Sequence, residues 1–104
     1  MKKIVLFCGA GMSSSLLVLK VRNAVKDAGL DYIVEGYDTS TVVKNSSDAV
    51  VVLVAPQVRH MLKKYQAAIT HCPVEPMDMV AYGSMNGPKI LAQARSLIKE
   101  DEPV

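Results

Sequence analysis

Cys8 stands where the apolar run from Ile4 to Phe7 gives way to Gly9, Ala10, Gly11, Met12, Ser13, Ser14 and Ser15. Small residues between a buried strand and a helix leave backbone N–H groups unshielded and convergent, and the helix N-terminus adds positive potential at the same point. A phosphate-sized anion suits such a loop. A thiol at its mouth is pulled toward thiolate, because helix N-termini lower the cysteine pKa from about 8.5 into a range of roughly 3.5 to 7.5. Nucleophile and anion cradle together point to a covalent phosphate carrier, with Gly9 and Gly11 permitting the tight turn and Ser13, Ser14 and Ser15 able to add hydroxyl donors. The charge pattern agrees: from Met1 to Lys26 there is no Asp or Glu, while Lys2, Lys3, Lys20, Arg22 and Lys26 are basic. First helical turns usually attract carboxylates, so an acid-free one leaves its N–H groups to an exogenous anion.

Three other chemistries use similar residues. A cysteine-dependent low-molecular-weight phosphatase shares the strand, loop and helix, but its motif is Cys-x5-Arg, and here Ser14 occupies the sixth position after Cys8. Without that planar cation hydrolysis is expected to be slow, since supplying an arginine to a phosphoryl-transfer site is worth about 10³ to 10⁵ in rate. Gly9-x-Gly11 with Asp38 further on echoes a dinucleotide fingerprint, but Ser14 stands where its third glycine belongs, and a lone GxG is a weak signal. Redox exchange would need Cys72, which the strand pattern puts at the opposite sheet edge from Cys8, some 15 Å away or more against a Cα limit of about 7 Å. Cys72 therefore reads as a small packed residue. Asp78 reads as a cap or turn residue rather than a general acid, and His60 and His71 as exposed positions on or near a helix end. Arg59 starts a helix near the site, where it could steer an anionic partner or serve as part of a solvated basic face. Met12 is equally suited to loop packing and to partner contact.

The rest of the chain must position Cys8. Its 104 residues, half of them apolar, suit one domain spanning residues 1–104. The longest uncharged apolar stretch, Ala49 to Pro56, is far short of the ~20 residues of a membrane helix, and no export signal is apparent. Two cysteines without Cys-x-x-Cys spacing or a His/Cys cluster give neither a disulfide framework nor a zinc site, so the cytoplasm is the expected compartment. A net charge of +2, no Trp and a single Phe offer no platform for nucleic acid.

Apolar runs and turn signals predict strands at Lys3–Phe7, Asp31–Tyr37, Ala49–Val54 and Val74–Met77. A helix over Ser15–Ala28 places Leu17, Val21, Ala24, Val25 and Ala28 on one face and ends at Gly29. Thr41–Asp48 is too polar for more than a short helix or loop. Val58, Met61, Leu62, Tyr65 and Ile69 mark a second helix face, with Arg59, Lys63 and Lys64 toward solvent. Asp78–Asn86 reads as a loop, and Gly87 as the cap of a last helix with Pro88 at its first position and Ile90, Leu91, Ala94, Leu97 and Ile98 buried. Asp101–Val104 reads as a frayed tail. Alternating βα units imply an α/β fold, a parallel sheet with helices on both faces, whose ligands bind at the carboxyl ends of the strands.

Cys8-Gly9-Ala10-Gly11-Met12-Ser13-Ser14-Ser15 resembles the phosphorylation loop of the enzyme IIB components of the sugar phosphotransferase system, in the lactose/cellobiose/chitobiose class. The likeness covers essentially the whole chain: Val54-Ala55-Pro56-Gln57-Val58 is similar to the segment after that class's third strand, and Tyr82-Gly83 with Asn86-Gly87 to the stretch before its last helix. The resemblance implies an open four-stranded parallel sheet in order 2-1-3-4 with a phosphatase-like P-loop after strand 1, placing the loop after strand 3 beside Cys8. It also implies that Cys8 accepts a phosphoryl group from a phosphohistidine on enzyme IIA and passes it, as phosphocysteine and without a metal or other cofactor, to a sugar bound by membrane enzyme IIC. Residues Gly9 to Ser15 would bind the phosphate, and Pro56, Gln57, Arg59 and Tyr82 are candidates for the rim or partner contact. A cytoplasmic monomer, transiently at the membrane through IIC, is expected.

Overall fold

The computed structural model describes residues 2–8, 11–38 and 47–98, with side chains except at positions 8, 11–15, 38 and 57–59. Four strands, β1 (Lys2–Cys8), β2 (Tyr32–Asp38), β3 (Val51–Val54) and β4 (Val74–Pro76), form one parallel sheet in the order β2-β1-β3-β4. The expected sheet and strand order are thus both present. The two central strands are the most apolar: Ile4 to Phe7 and Val51 to Val54 are completely buried, as strands covered on both faces must be.

Side chains alternate between two cores. On one face, Ile4, Leu6, Val51 and Leu53 pack beneath helices α1 (Gly11–Asp27) and α4 (Gly87–Ile98) and the short α3 (Met79–Gly83). On the other, Val5, Phe7, Val52 and Val54 meet Tyr65 and Ile69, at and just beyond α2 (Leu62–Ala68), which continues a 3-10 turn over Pro56–Met61. Met61 and Leu62 are partly buried against this second core, while Lys63 and Lys64 face solvent as their spacing predicts.

Helix α1 buries Leu17, Val18, Val21, Ala24 and Val25. Ala28, expected on this face, is exposed, because the helix stops one residue earlier. The stop is set by Gly29 at φ +69°: its N–H donates to the Lys26 carbonyl and that of Leu30 to the Val25 carbonyl, both at 3.1 Å. This left-handed cap is the reason for a glycine there.

Two corrections concern the region after β4. Asp78–Asn86, read as a loop, contains α3, since Asp78 Oδ2 accepts the Ala81 N–H at 2.9 Å and so nucleates a turn. The cap of α4 is Asn86, whose Oδ1 accepts the Lys89 N–H at 3.1 Å, and Gly87 already lies inside the helix. Gly87 has a different role: a Cβ there would lie 2.3 Å from the Lys20 carbonyl oxygen of α1. Gly87→Ala is therefore expected to force α1 and α4 apart and cost about 1–3 kcal/mol. A denaturant midpoint unchanged from wild type would contradict this close approach.

At the amino edge of the sheet, Lys3 Nζ meets Asp48 Oδ1 at 3.1 Å. Chiefly through that hydrogen bond, Asp48 is held below the ordinary carboxylate range and Lys3 above the ordinary lysine range. The depressed Asp48 contributes stability that is present above its unfolded pKa and lost as pH falls through the folded one. The raised Lys3 contributes stability that is lost only as pH rises through its own folded pKa. Asp48→Asn is thus expected to lower the melting temperature slightly and by a constant amount around neutrality, the difference closing in acid. A difference that widened in acid would contradict the pairing.

Candidate functional site

The register along the strands assembles the site. Phe7 pairs with Val54 and Val54 with Pro76, while Cys8 pairs with Asp38 of β2. The Ala55 N–H donates to the Phe7 carbonyl at 2.8 Å, so the exit of β3 runs beside the exit of β1. Cys8 therefore ends its strand at the carboxyl edge of the sheet, flanked by Asp38 on one side and by Ala55 and Pro56 on the other.

Gly9 and Ala10 lie outside the described residues. The backbone of Gly11, Met12, Ser13, Ser14 and Ser15 is already helical, which corrects the expected start of α1 at Ser15 by four residues. Consecutive serines resemble caps and drew the predicted boundary to the last of them. The consequence is chemical. The first four N–H groups of an α-helix have no partner within it, so among the described residues the donors that follow Cys8 belong to a helical first turn. That turn contains no acidic residue, leaving the helix dipole uncompensated and favourable to an anion. The side chains of Cys8, Met12 and the three serines lie outside the described set.

Pro56, which is buried, opens the 3-10 turn directly after Ala55. Gln57 and Arg59 follow it in that turn, with side chains outside the described set. Tyr82 is half-buried on α3 and packs against the core beneath α1 and α4, so packing accounts for much of its ring. His60 and His71 are exposed, as expected.

Cys72 lies just before β4, half-buried against the second core, and burial raises its thiol pKa. The register puts Cys8 level with Met77, five residues beyond Cys72 and two strands away, which is about 16 Å along the strands alone. A disulfide between them is ruled out by its Cα limit of about 7 Å. Among the described residues no group of three or more His, Cys, Asp or Glu is placed to hold a metal, and no helix is long and apolar enough to cross a membrane.

The sequence missed the relation of Cys8 to Asp38. In the sequence Asp38 reads as a turn residue after the second strand and as part of a weak dinucleotide-fingerprint echo, whereas the parallel register sets its backbone directly beside that of Cys8. The length of the Asp31–Tyr37 run offered the only signal, and it ended one residue short.

Comparison with known proteins agrees with this geometry. The family described as "PTS system, Lactose/Cellobiose specific IIB subunit" matches residues 3–93. A cellobiose-specific enzyme IIB component of the phosphotransferase system from Lactococcus lactis subsp. lactis is 38% identical over 104 residues, with 93% of this chain and 96% of that protein covered. The solution structure of a cellobiose-specific phosphotransferase IIB component from Borrelia burgdorferi superposes with a TM-score of 0.77 at 30% identity, covering 99% of this chain and 96% of the other. The lactose-specific IIB domain from Streptococcus pneumoniae superposes with a TM-score of 0.82, covering 94% and 98%, and at 13% identity it speaks for the fold alone. The sheet order, the helical turn beside Cys8 and these near end-to-end matches converge: the chain belongs to the lactose/cellobiose-specific IIB subunits of the sugar phosphotransferase system and is a phosphoryl carrier of that system.

Proposed function

We propose that Cys8 is the phosphoryl acceptor of this carrier. The observation that carries the reading is the acid-free helical turn that begins at Gly11, three residues after Cys8 at the carboxyl edge of the sheet. The Cys8 thiolate attacks the phosphorus of a phosphohistidine on enzyme IIA; the S–P bond forms, the N–P bond breaks, and the histidine leaves with its electron pair. Amides of the segment Gly9, Ala10, Gly11, Met12, Ser13, Ser14 and Ser15 hold the phosphoryl oxygens. Each hydrogen bond to a charged group contributes about 1.5–3 kcal/mol, against roughly 0.3–2 for the helix dipole, so convergent donors dominate. A hydroxyl of the sugar bound by membrane enzyme IIC then displaces the thiolate.

The sugar is a β-linked disaccharide such as cellobiose, chitobiose or lactose, a reading supported by the cellobiose specificity in the names of the Lactococcus and Borrelia relatives. The carrier works in the cytoplasm and meets the membrane only through IIC. Pro56, Gln57, Arg59 and Tyr82 form the rim that partners contact.

Two assays test this reading together. Phosphorylated IIA is expected to transfer one phosphoryl group per chain, and the purified chain is expected to hydrolyse an aryl phosphate only slowly, as Ser14 in place of an arginine forgoes about 10³–10⁵ in rate. Rapid aryl phosphate turnover that depends on Cys8 would replace the carrier by a phosphatase.

A further inference from the structure

The open edge of β4 is gripped from both faces of the sheet. Val52 N–H donates to the Pro73 carbonyl at 2.9 Å and Met77 N–H to the Val54 carbonyl at 2.8 Å. Residues 73, 75 and 77 therefore turn their peptide groups toward β3, and residues 74, 76 and 78 turn theirs outward. Such an outward row is a ready template for a strand from another chain.

Here the row is occupied by side chains. Gln66 Nε2, from α2, donates to the Val74 carbonyl at 2.8 Å. Gln93, from α4 on the opposite face, donates through Nε2 to the Pro76 carbonyl at 2.8 Å and accepts the Asp78 N–H on Oε1 at 2.9 Å. Pro76 itself has no N–H to offer. A glutamine carries a donor and an acceptor in one planar amide, so it can stand in for the peptide group of a neighbouring strand. The Val74 and Pro76 carbonyls are part-buried, so the glutamines satisfy groups that water reaches poorly. With the Asp78 N–H also taken, three bonds within five residues fill the positions that a pairing strand would use. On the other edge strand, Arg22 Nε treats the Val34 carbonyl in the same way, at 2.8 Å.

We propose that Gln66 and Gln93 are edge latches that keep a second copy of this chain from adding its own edge strand to β4. A carrier that must leave one partner before meeting the next is served by an edge that cannot self-associate.

The test is sedimentation velocity on the full chain from micromolar to millimolar concentration. Wild type is expected to stay at the mass of one chain, and Gln66→Ala/Gln93→Ala to shift toward two or more as concentration rises. Gln66→Arg/Gln93→Arg keeps N–H donors and adds charge to the edge, so it is expected to stay at one. Hydrogen exchange locates the contact: in the associated double-alanine variant the Val74 and Asp78 amides are expected to gain protection relative to the dilute sample. A folded double-alanine variant that sediments as one chain throughout would overturn the proposal, and so would association that leaves both amides unprotected. If the double variant does not fold, Gln66→Ala and Gln93→Ala are measured singly, with weaker association expected and a single-chain mass in both overturning the latch.

Discussion

Cys8→Ser is expected to reduce phosphoryl acceptance from IIA by a factor on the order of 10⁴ to 10⁶, the scale on which removal of an acting nucleophile is felt. Serine has almost the same shape, and its hydroxyl can enter the same hydrogen bonds, so the anion cradle around α1 is kept. What is lost is the thiolate. A thiol beside a helix N-terminus is substantially ionised at neutral pH, whereas a hydroxyl needs an adjacent general base to become nucleophilic. Stability is expected to change little, because the exchange of sulfur for oxygen leaves Ile4 to Phe7, the fully buried residues of β1, untouched. The measurement is transfer from phosphorylated IIA alongside a thermal melt. Undiminished labelling of the serine variant would remove Cys8 from the mechanism.

Phe7→Ala is expected to do the reverse. The ring is fully buried in the core beneath α2 and lies 6.0 Å from that of Tyr37, tilted by 35°. Truncating such a residue costs about 3–5 kcal/mol, a large part of the roughly 5–15 kcal/mol that holds a domain together. The melting midpoint is expected to fall by at least about 12 °C. The backbone contact that aligns the site, Ala55 N–H to the Phe7 carbonyl, does not involve the ring. Well below the new midpoint, phosphoryl acceptance is therefore expected to stay within a few-fold of wild type. A shift of less than about 4 °C would mean that the second core is far looser than its burial indicates. Together the two substitutions separate chemistry from scaffold at adjacent positions.

The parts of the fold that could be read from sequence are those with strong one-dimensional signals. Ile4–Phe7 and Val51–Val54 are continuous apolar runs because both faces of those strands are covered. Gly29 announced the end of α1 because only a residue that tolerates positive φ closes a helix in that way. The order of the strands came from likeness to a family, since periodicity carries no information about which strands are neighbours.

Legibility failed where a local signal had two meanings. Ser13, Ser14 and Ser15 are cap formers that here lie inside the helix. Asp78 was seen as a cap without the five-residue helix that it caps, a segment too short to show a period. Gly87 looked like a cap because it precedes a proline, yet its reason is the approach of Lys20 across a helix pair, a contact between residues far apart in sequence. The same holds for Gln66 and Gln93: nothing in a single sequence marks a glutamine that reaches a strand edge.

The most direct measurement is fragmentation mass spectrometry of the intact chain after incubation with phosphoenolpyruvate and the upstream transferases of the phosphotransferase system. One phosphoryl group is expected, localised to Cys8. A phosphoryl group on Cys72 or on a serine hydroxyl, or none at all with a competent donor, would contradict the account.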